Sequence, residues 1–217
     1  MDLVARLRAL QVSSLSDADK TLPICDPAIR AVLPDVTLAG PARTVRADGD
    51  LLGMVAALGA AAPGEVLVVA TGGVKLAASG ELFAGEARRK GIAGIVIDGY
   101  CRDLRGLRKA GLPVFARGSV PAAGTMAGPA VLDEPVDIGG VTVRTGDIVF
   151  GDDDGLLIAP AERISAALDK AEEIERVEAG VAAALAAGTP LSDLTNAAEH
   201  LRALAAGEPS TFRFLPA

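Results

Sequence analysis

The chain has 217 residues, 50% of them hydrophobic, only 3% aromatic and none Trp, so it is long enough to bury a core of Ala, Val, Leu and Ile. Its formal charge of −7 at pH 7 is the wrong sign for a face that tracks phosphates, and no nucleic-acid partner is expected. Cys25 and Cys101 lie far apart and form no metal-spacing motif, and the start MDLVARLRAL has no long apolar run before a cleavage site, which points to a reducing cytoplasm.

In chain order, a short helix runs to Leu10, and Ser14 or Ser16 offers an N-cap to a second short helix around Asp17. Pro23, Pro27 and Pro34 keep the next stretch irregular. A strand pattern over Thr37–Ala47 is followed by a helix over Leu51–Ala61 and a strand over Glu65–Thr71. The run from Leu51 to Ala70 is apolar enough to imitate a membrane span, but Pro63-Gly64-Glu65 breaks it where hydrocarbon demands an unbroken helix, so no membrane partner is expected.

Gly72-Gly73 opens a loop into an apolar-periodic helix from about Leu76 to Lys90, stopped by Gly91, whose first turns leave backbone N–H groups for an anion. The β-branched run Ile92–Ile97 reads as a buried strand. Asp98-Gly99 then reads as a turn that leaves Arg102 and Asp103 just past the carboxyl end of the sheet, where α/β proteins hold ligands. This alternation of strand and helix predicts a parallel core. A short helix over Leu104–Ala110 and a strand over Pro113–Arg117 follow, and Val131–Ile158 alternates apolar and polar residues between turns, the pattern of antiparallel hairpins.

Ala161–Ala187 carries Ile164, Leu168, Ala171, Ile174, Val177, Val181 and Leu185 at helical spacing and ends at Gly188. A final helix over Asn196–Ala206 and a tail over Thr211–Ala217 complete the chain. With no repeat or linker, the expectation is one layered α/β domain over 1–217 with mixed parallel and antiparallel strands and a C-terminal helical extension at about 189–217.

The chemistry concentrates at Arg102-Asp103. A guanidinium holds a carboxylate or enolate oxygen through parallel N–H bonds, and a lone carboxylate suits Mg²⁺ or Mn²⁺, which keep several waters. Glu81, early in its helix, is either a surface carboxylate favoured by the helix N-terminus or a functional group of the site. Asp152-Asp153-Asp154-Gly155 resembles a calcium loop, but Leu156 stands where a ligand is needed and no Glu closes the loop, so a hairpin turn is expected. His200, the only histidine, reads as solvated, and Cys101 as a partly buried thiol. Neither a dinucleotide nor a Walker-type phosphate loop occurs.

Gly80-Glu81-Leu82, Arg88/Arg89, Gly91, Gly94, Val96, Asp98-Gly99 and Arg102-Asp103 together resemble a motif of the RraA-like family. Its members include class II 4-hydroxy-4-methyl-2-oxoglutarate aldolases with oxaloacetate decarboxylase activity and a non-catalytic regulator of ribonuclease E. Gly40 to Val45 resembles the family's early strand, and Gly146 to Gly151 with Asp154-Gly155 its late hairpin, so the likeness spans roughly residues 12–188. The resemblance implies a swivelling β/β/α fold and a metal-dependent lyase that releases pyruvate from a 2-oxo acid through an enolate. In that reading Arg102 binds the pyruvoyl end, Asp103 holds Mg²⁺ or Mn²⁺, Glu81 holds the proton-relay water, and the backbone at Gly80, Glu81 and Leu82 faces the substrate. The resemblance also implies a homotrimer or dimer of trimers in which Glu178 reaches a neighbour's metal waters, with Glu175 the alternative. The register that places Glu178 there puts Ala182 where an arginine is common in the family. The second implied function is a regulator that binds a ribonuclease or another protein. Asp103 separates the two, because the regulator lacks a metal-binding carboxylate after the arginine.

Overall fold

A computed structural model describes residues 2–215. Its helices are α1 (Leu3–Leu7), α2 (Val12–Ala18), α3 (Leu52–Ala60), α4 (Glu81–Arg89), α5 (Leu104–Ala110), α6 (Ala161–Ala186) and α7 (Ala197–Ala205). The strands are β1 (Arg30–Ala31), β2 (Leu38–Arg46), β3 (Val66–Ala70), β4 (Ala77–Ser79), β5 (Gly94–Cys101), β6 (Val114–Ser119), β7 (Val131–Leu132), β8 (Val136–Ile138), β9 (Val141–Val143), β10 (Ile148–Asp152) and β11 (Gly155–Ala159).

One sheet runs in the order β1-β6-β5-β3-β2-β10-β11, with β4 beside β5 and β7 beside β2, while β8 and β9 form a separate hairpin. The strands β2, β3, β5 and β6 pair in parallel, and β10 and β11 extend the sheet antiparallel from β2. The sheet is nearly closed: Ile24 bridges Leu157 of β11, and the same segment then enters β1 on the far edge against β6.

The central strands are apolar without alternation because both faces are covered. Leu67, Val69, Ile95 and Ile97 face Met54, Leu58, Ala84, Ala87 and Leu107 of the helical layer α3–α5. Val66, Val68, Val96 and Phe115 face the opposite way, against Ile138, Val143, Leu156 and Ile158. A third core joins α1, α2 and α6 to the antiparallel end through Leu7, Leu15, Ile164 and Leu168 packed on Phe150 and Leu157. The expected mixed α/β fold is thus present.

Three local expectations change. The helix placed over Leu76–Lys90 begins only at Glu81, because Ala77–Ser79 is drawn into strand β4 beside β5. The turn expected at Asp98-Gly99 is instead the middle of β5, with a register shift against β6 between Ile97 and Tyr100. Gly99 is needed there for close approach, since a Cβ would collide with the Thr71 side chain. Neither Ser14 nor Ser16 caps α2, which starts at Val12 after Gln11; the Ser14 hydroxyl instead donates to Glu175 at 2.9 Å. Of the tail, Pro216 and Ala217 lie outside the described residues. Among the described residues no helix is long and apolar enough to cross a membrane.

Candidate active site

Strand β5 outruns its neighbour. Ala70, the last residue of β3, pairs with Asp98, and beyond it β4 takes over, with Ala77 opposite Tyr100 and Ser79 opposite Cys101. Two strand-to-helix turns are therefore set side by side at the carboxyl end of the sheet: Gly80-Glu81 into α4 and Arg102-Asp103 into α5. The Arg102 N–H donates to the Ser79 carbonyl at 2.9 Å and fixes the pair.

Asp103 has φ 59° and ψ 44°, in the left-handed region that Asp enters more readily than most residues. Its carboxylate does not cap α5. It turns to the opposite helix, accepting from the Glu81 N–H at 3.3 Å and pairing with Arg102 Nε at 3.3 Å. A Cβ on Gly80 would strike Asp103 Oδ2, so the glycine leaves the room this carboxylate occupies. Glu81 lies across Gly106 of α5, where any Cβ would collide with its side chain. The first intrahelical bond of α4 runs from the Ala84 N–H to the Gly80 carbonyl at 3.0 Å, which leaves the Leu82 and Phe83 N–H groups free at the helix start.

These groups line a cleft of about 220 Å³. Ser79, Glu81, Arg102 and Asp103 form its polar side, and Leu51, Leu82, Phe83 and Met126 its apolar side. The Ser79 hydroxyl is buried and has no hydrogen-bond partner among the described residues. Met126 arrives on a strap between β6 and β7 that Asp50 ties down: its carboxylate accepts from the Leu52 N–H at 2.8 Å, Thr125 Oγ1 at 2.7 Å, and the Ala127 and Gly128 N–H groups at 2.7 and 2.8 Å. Those donors, the Ala127 amide foremost, hold the Asp50 carboxyl well below the usual range.

The cleft thus brings together Gly80, Glu81, Leu82, Arg102 and Asp103. Glu178 is elsewhere on the same chain, exposed on α6 in a groove with Ile174, Val177, Phe212 and Phe214. Glu175 is occupied in holding α2, accepting from the Gln11 N–H at 2.7 Å as well as from Ser14. Glu178 has no side-chain hydrogen bond or ion pair among the described residues. Sequence reasoning missed Ser79, Leu51, Phe83, Met126 and the Asp50 clamp, none of which belongs to a spaced motif. Cys101 is fully buried, with its thiol pushed up to about 11 by that burial, so it is no activated nucleophile. His200 is less solvated than expected, its Nδ1 lying 2.8 Å from the Ser210 hydroxyl. Asp152 to Asp154 form the β10–β11 turn.

Among the described residues no group of three or more His, Cys, Asp or Glu is arranged as a metal cage. The donor set is instead one carboxylate, Asp103, with Glu81 beside it and a polar cleft in front. That fits a hard cation such as Mg²⁺, which is bound through one or two carboxylates plus waters and substrate oxygens.

An α/β sheet carrying an arginine and a carboxylate at the ends of its parallel strands, over a small cleft, is the frame of a small-molecule site. The family model for Aldolase/RraA matches residues 12–158, and the chain belongs to the RraA-like family. It is 35% identical over 175 residues to a protein from Halalkalibacterium halodurans that carries the name "Putative 4-hydroxy-4-methyl-2-oxoglutarate aldolase", covering 80% of this chain and 83% of that one. A solved structure of an uncharacterized protein from Pseudomonas syringae pv. tomato matches with a TM-score of 0.79 at 25% identity, over 88% of this chain and 95% of that one. The RNA-processing inhibitor RraA from Thermus thermophilus matches with a TM-score of 0.64 at 30% identity, over 69% and 92%.

Proposed function

We propose that the protein is a divalent-metal-dependent carbon–carbon lyase that releases pyruvate from 4-hydroxy-4-methyl-2-oxoglutarate, oxaloacetate or a related 2-oxo acid. The observation that carries this reading is the convergence of Arg102, Asp103 and Glu81 from two strand ends on one cleft, beside the free N–H groups of α4. The likeness to the aldolase-named relative supports the lyase class.

Asp103 would hold the cation, with Glu81 directed at its water shell. A bound Mg²⁺ or Mn²⁺ would polarise the 2-oxo group as a Lewis acid. Arg102 grips the oxygen on which charge develops as the enolate forms, an electrostatic contribution that acts most strongly where water is excluded. The free Leu82 and Phe83 N–H groups would bind the substrate carboxylate, and a water held by Glu81 would move the proton. Glu178 of a neighbouring copy in a homotrimer, or in a dimer of trimers, completes the acidic set around those waters. A reducing, cytoplasmic setting suits two free, buried cysteines.

The test is pyruvate release from a panel of 2-oxo acids after chelation and after restoring Mg²⁺ or Mn²⁺. Release that needs the metal is expected. Full activity in the chelated sample overturns the metal mechanism. The likeness to the RNA-processing inhibitor favours a second reading, a non-catalytic protein that binds a ribonuclease or another protein. No pyruvate from any acid, together with ribonuclease binding, would establish that one.

A further inference from the structure

We infer that a second site, at the opposite end of the sheet from the cleft, binds a small molecule through a phosphate or diphosphate group. A groove of about 430 Å³ opens there, at the amino ends of the parallel strands. Its floor is Gly91, Ile92 and Ala93, which lead into β5, and Pro113, which precedes β6. Arg88 in the last turn of α4, Arg8 just after α1 and Thr37 just before β2 complete the lining. None of these residues lines the cleft or the groove that holds Glu178, so the occupant is not the substrate of the cleft and the proposed boundary between copies does not draw on them.

Charge identifies the occupant. The chain carries a net charge of −7, yet no acidic side chain lines this groove. Each of its two guanidinium groups has a close neighbour in sequence that carboxylates neutralise: Arg6 is gripped by Asp169 and Glu172, both at 2.6 Å, and Arg89 by Glu86 at 2.6 Å. Arg8 and Arg88 themselves have no ion pair among the described residues. The Arg8 Nη2 donates to the Ala39 carbonyl at 3.4 Å, which draws that guanidinium against the start of β2 and leaves its remaining N–H groups for a ligand. The dipole of α4 favours a cation in its last turn, and Arg89 already answers it; the dipole gives Arg8 no reason to converge on Arg88 from another helix. Two cations lining one concavity repel each other unless an anion lies between them.

The floor gives an anion no donors. The Gly91, Ile92 and Ala93 N–H groups are spent on the Arg88, Ala87 and Glu65 carbonyls, and proline has none. Binding therefore falls to the two guanidinium forks and to the Thr37 hydroxyl, which has no partner among the described residues. Each fork holds two oxygens of an oxyanion through parallel N–H bonds, so two forks call for at least two negative charges. A phosphate concentrates that charge on one tetrahedral centre within reach of both arginines, whereas a dicarboxylate divides it between separated ends. The groove falls within the roughly 300–1,000 Å³ of small-molecule sites, and two arginines make no extended face for nucleic acid.

Titration calorimetry of the full chain without added metal tests the site, with pyrophosphate and succinate as probes. Saturable binding of pyrophosphate, at least tenfold tighter than that of succinate, is expected. Arg8→Gln and Arg88→Gln, both at exposed positions that tolerate loss of the charge, should each weaken it at least tenfold, while Arg102→Gln in the cleft should leave pyrophosphate binding unchanged. Absence of saturable binding, succinate bound as tightly, or binding lost through Arg102→Gln and kept in the other two variants overturns the inference. A smaller native mass in the Arg8→Gln/Arg88→Gln double variant also overturns it, because the arginines would then hold a neighbouring copy. None of these outcomes bears on the lyase reading, which pyruvate release tests separately.

Discussion

Asp103 gives the residue scale its sharpest test, because its backbone and its charge can be separated. Asn enters the left-handed region as Asp does, so Asp103→Asn keeps φ near 59° while removing the cation's ligand. Pyruvate release should fall to background with an unchanged melting temperature. Gly80→Ala approaches the same carboxylate by shape alone. At φ −159° the backbone there suits any residue, but the new methyl would strike Asp103 Oδ2 and sit 3.0 Å from Arg102 Cγ. A tenfold or greater loss of kcat/KM with an unchanged circular dichroism spectrum is expected. Arg102→Lys keeps the charge and loses the planar fork, for a loss of about 2 kcal/mol of transition-state stabilisation once substrate covers the site. Kinetics near those of the unaltered protein would remove Arg102 from the chemistry.

At the scale of elements, the strap and strand β4 decide which residues meet in the cleft. Asp50 holds the strap from the loop before α3, and its depressed carboxyl makes the tie pH-dependent. A carboxyl lowered on folding adds stability above its unfolded pKa, near 3.9, and loses it as pH falls further. Asp50→Ala should therefore lower the melting temperature at pH 6, with the gap to the unaltered protein beginning to narrow as pH falls below about 4. A constant gap would mean that the clamp does not depend on the charge. The strap also shows what the sequence concealed. Arg102-Asp103 was legible because the two residues are adjacent and follow a β-branched run, and Gly80-Glu81-Leu82 because it stands at a family spacing. Met126 was not, because its segment has no periodicity and reaches the site through pairing with the loop before α3 and with Ala77 of β4. Residues 77–79 read as helix because Ala favours one, and the exposed edge of β5 overrode that preference. Asp98-Gly99 has turn composition, yet Asp98 accepts from Arg117 Nε and from the Gly139 N–H inside the sheet.

For the whole molecule, Glu178 of α6 and the cleft lie in separate places on one chain, with no lining residue in common. If the site is shared between copies, Glu178→Gln and Asp103→Asn subunits should each be inactive alone. Mixed and exchanged, they should regain part of the activity at boundaries that pair an intact Asp103 with an intact Glu178. The double mutant mixed with itself is the control, and exchanged mixtures that stay inactive would confine Glu178 to the solvent face. The near-closure of the sheet has a separate consequence, in the order of synthesis. The parallel strands β2, β3, β5 and β6 are complete once Ser119 has been made, and β6 then already has β1 on its outer side, but the outer side of β2 depends on later chain. On the outer side of β2, Val45 and Arg46 are paired when β7 arrives but Leu38 to Pro41 only when β10 does, and Ile24 has no partner strand until Leu157 is made. A nascent chain therefore carries an open β2 flank through much of its elongation, the interval in which unpaired strands recruit one another. Arrival of the β10–β11 hairpin ends that exposure and at the same time fastens the segment leading into β1, because β10 pairs with β2 while Leu157 of β11 bridges Ile24.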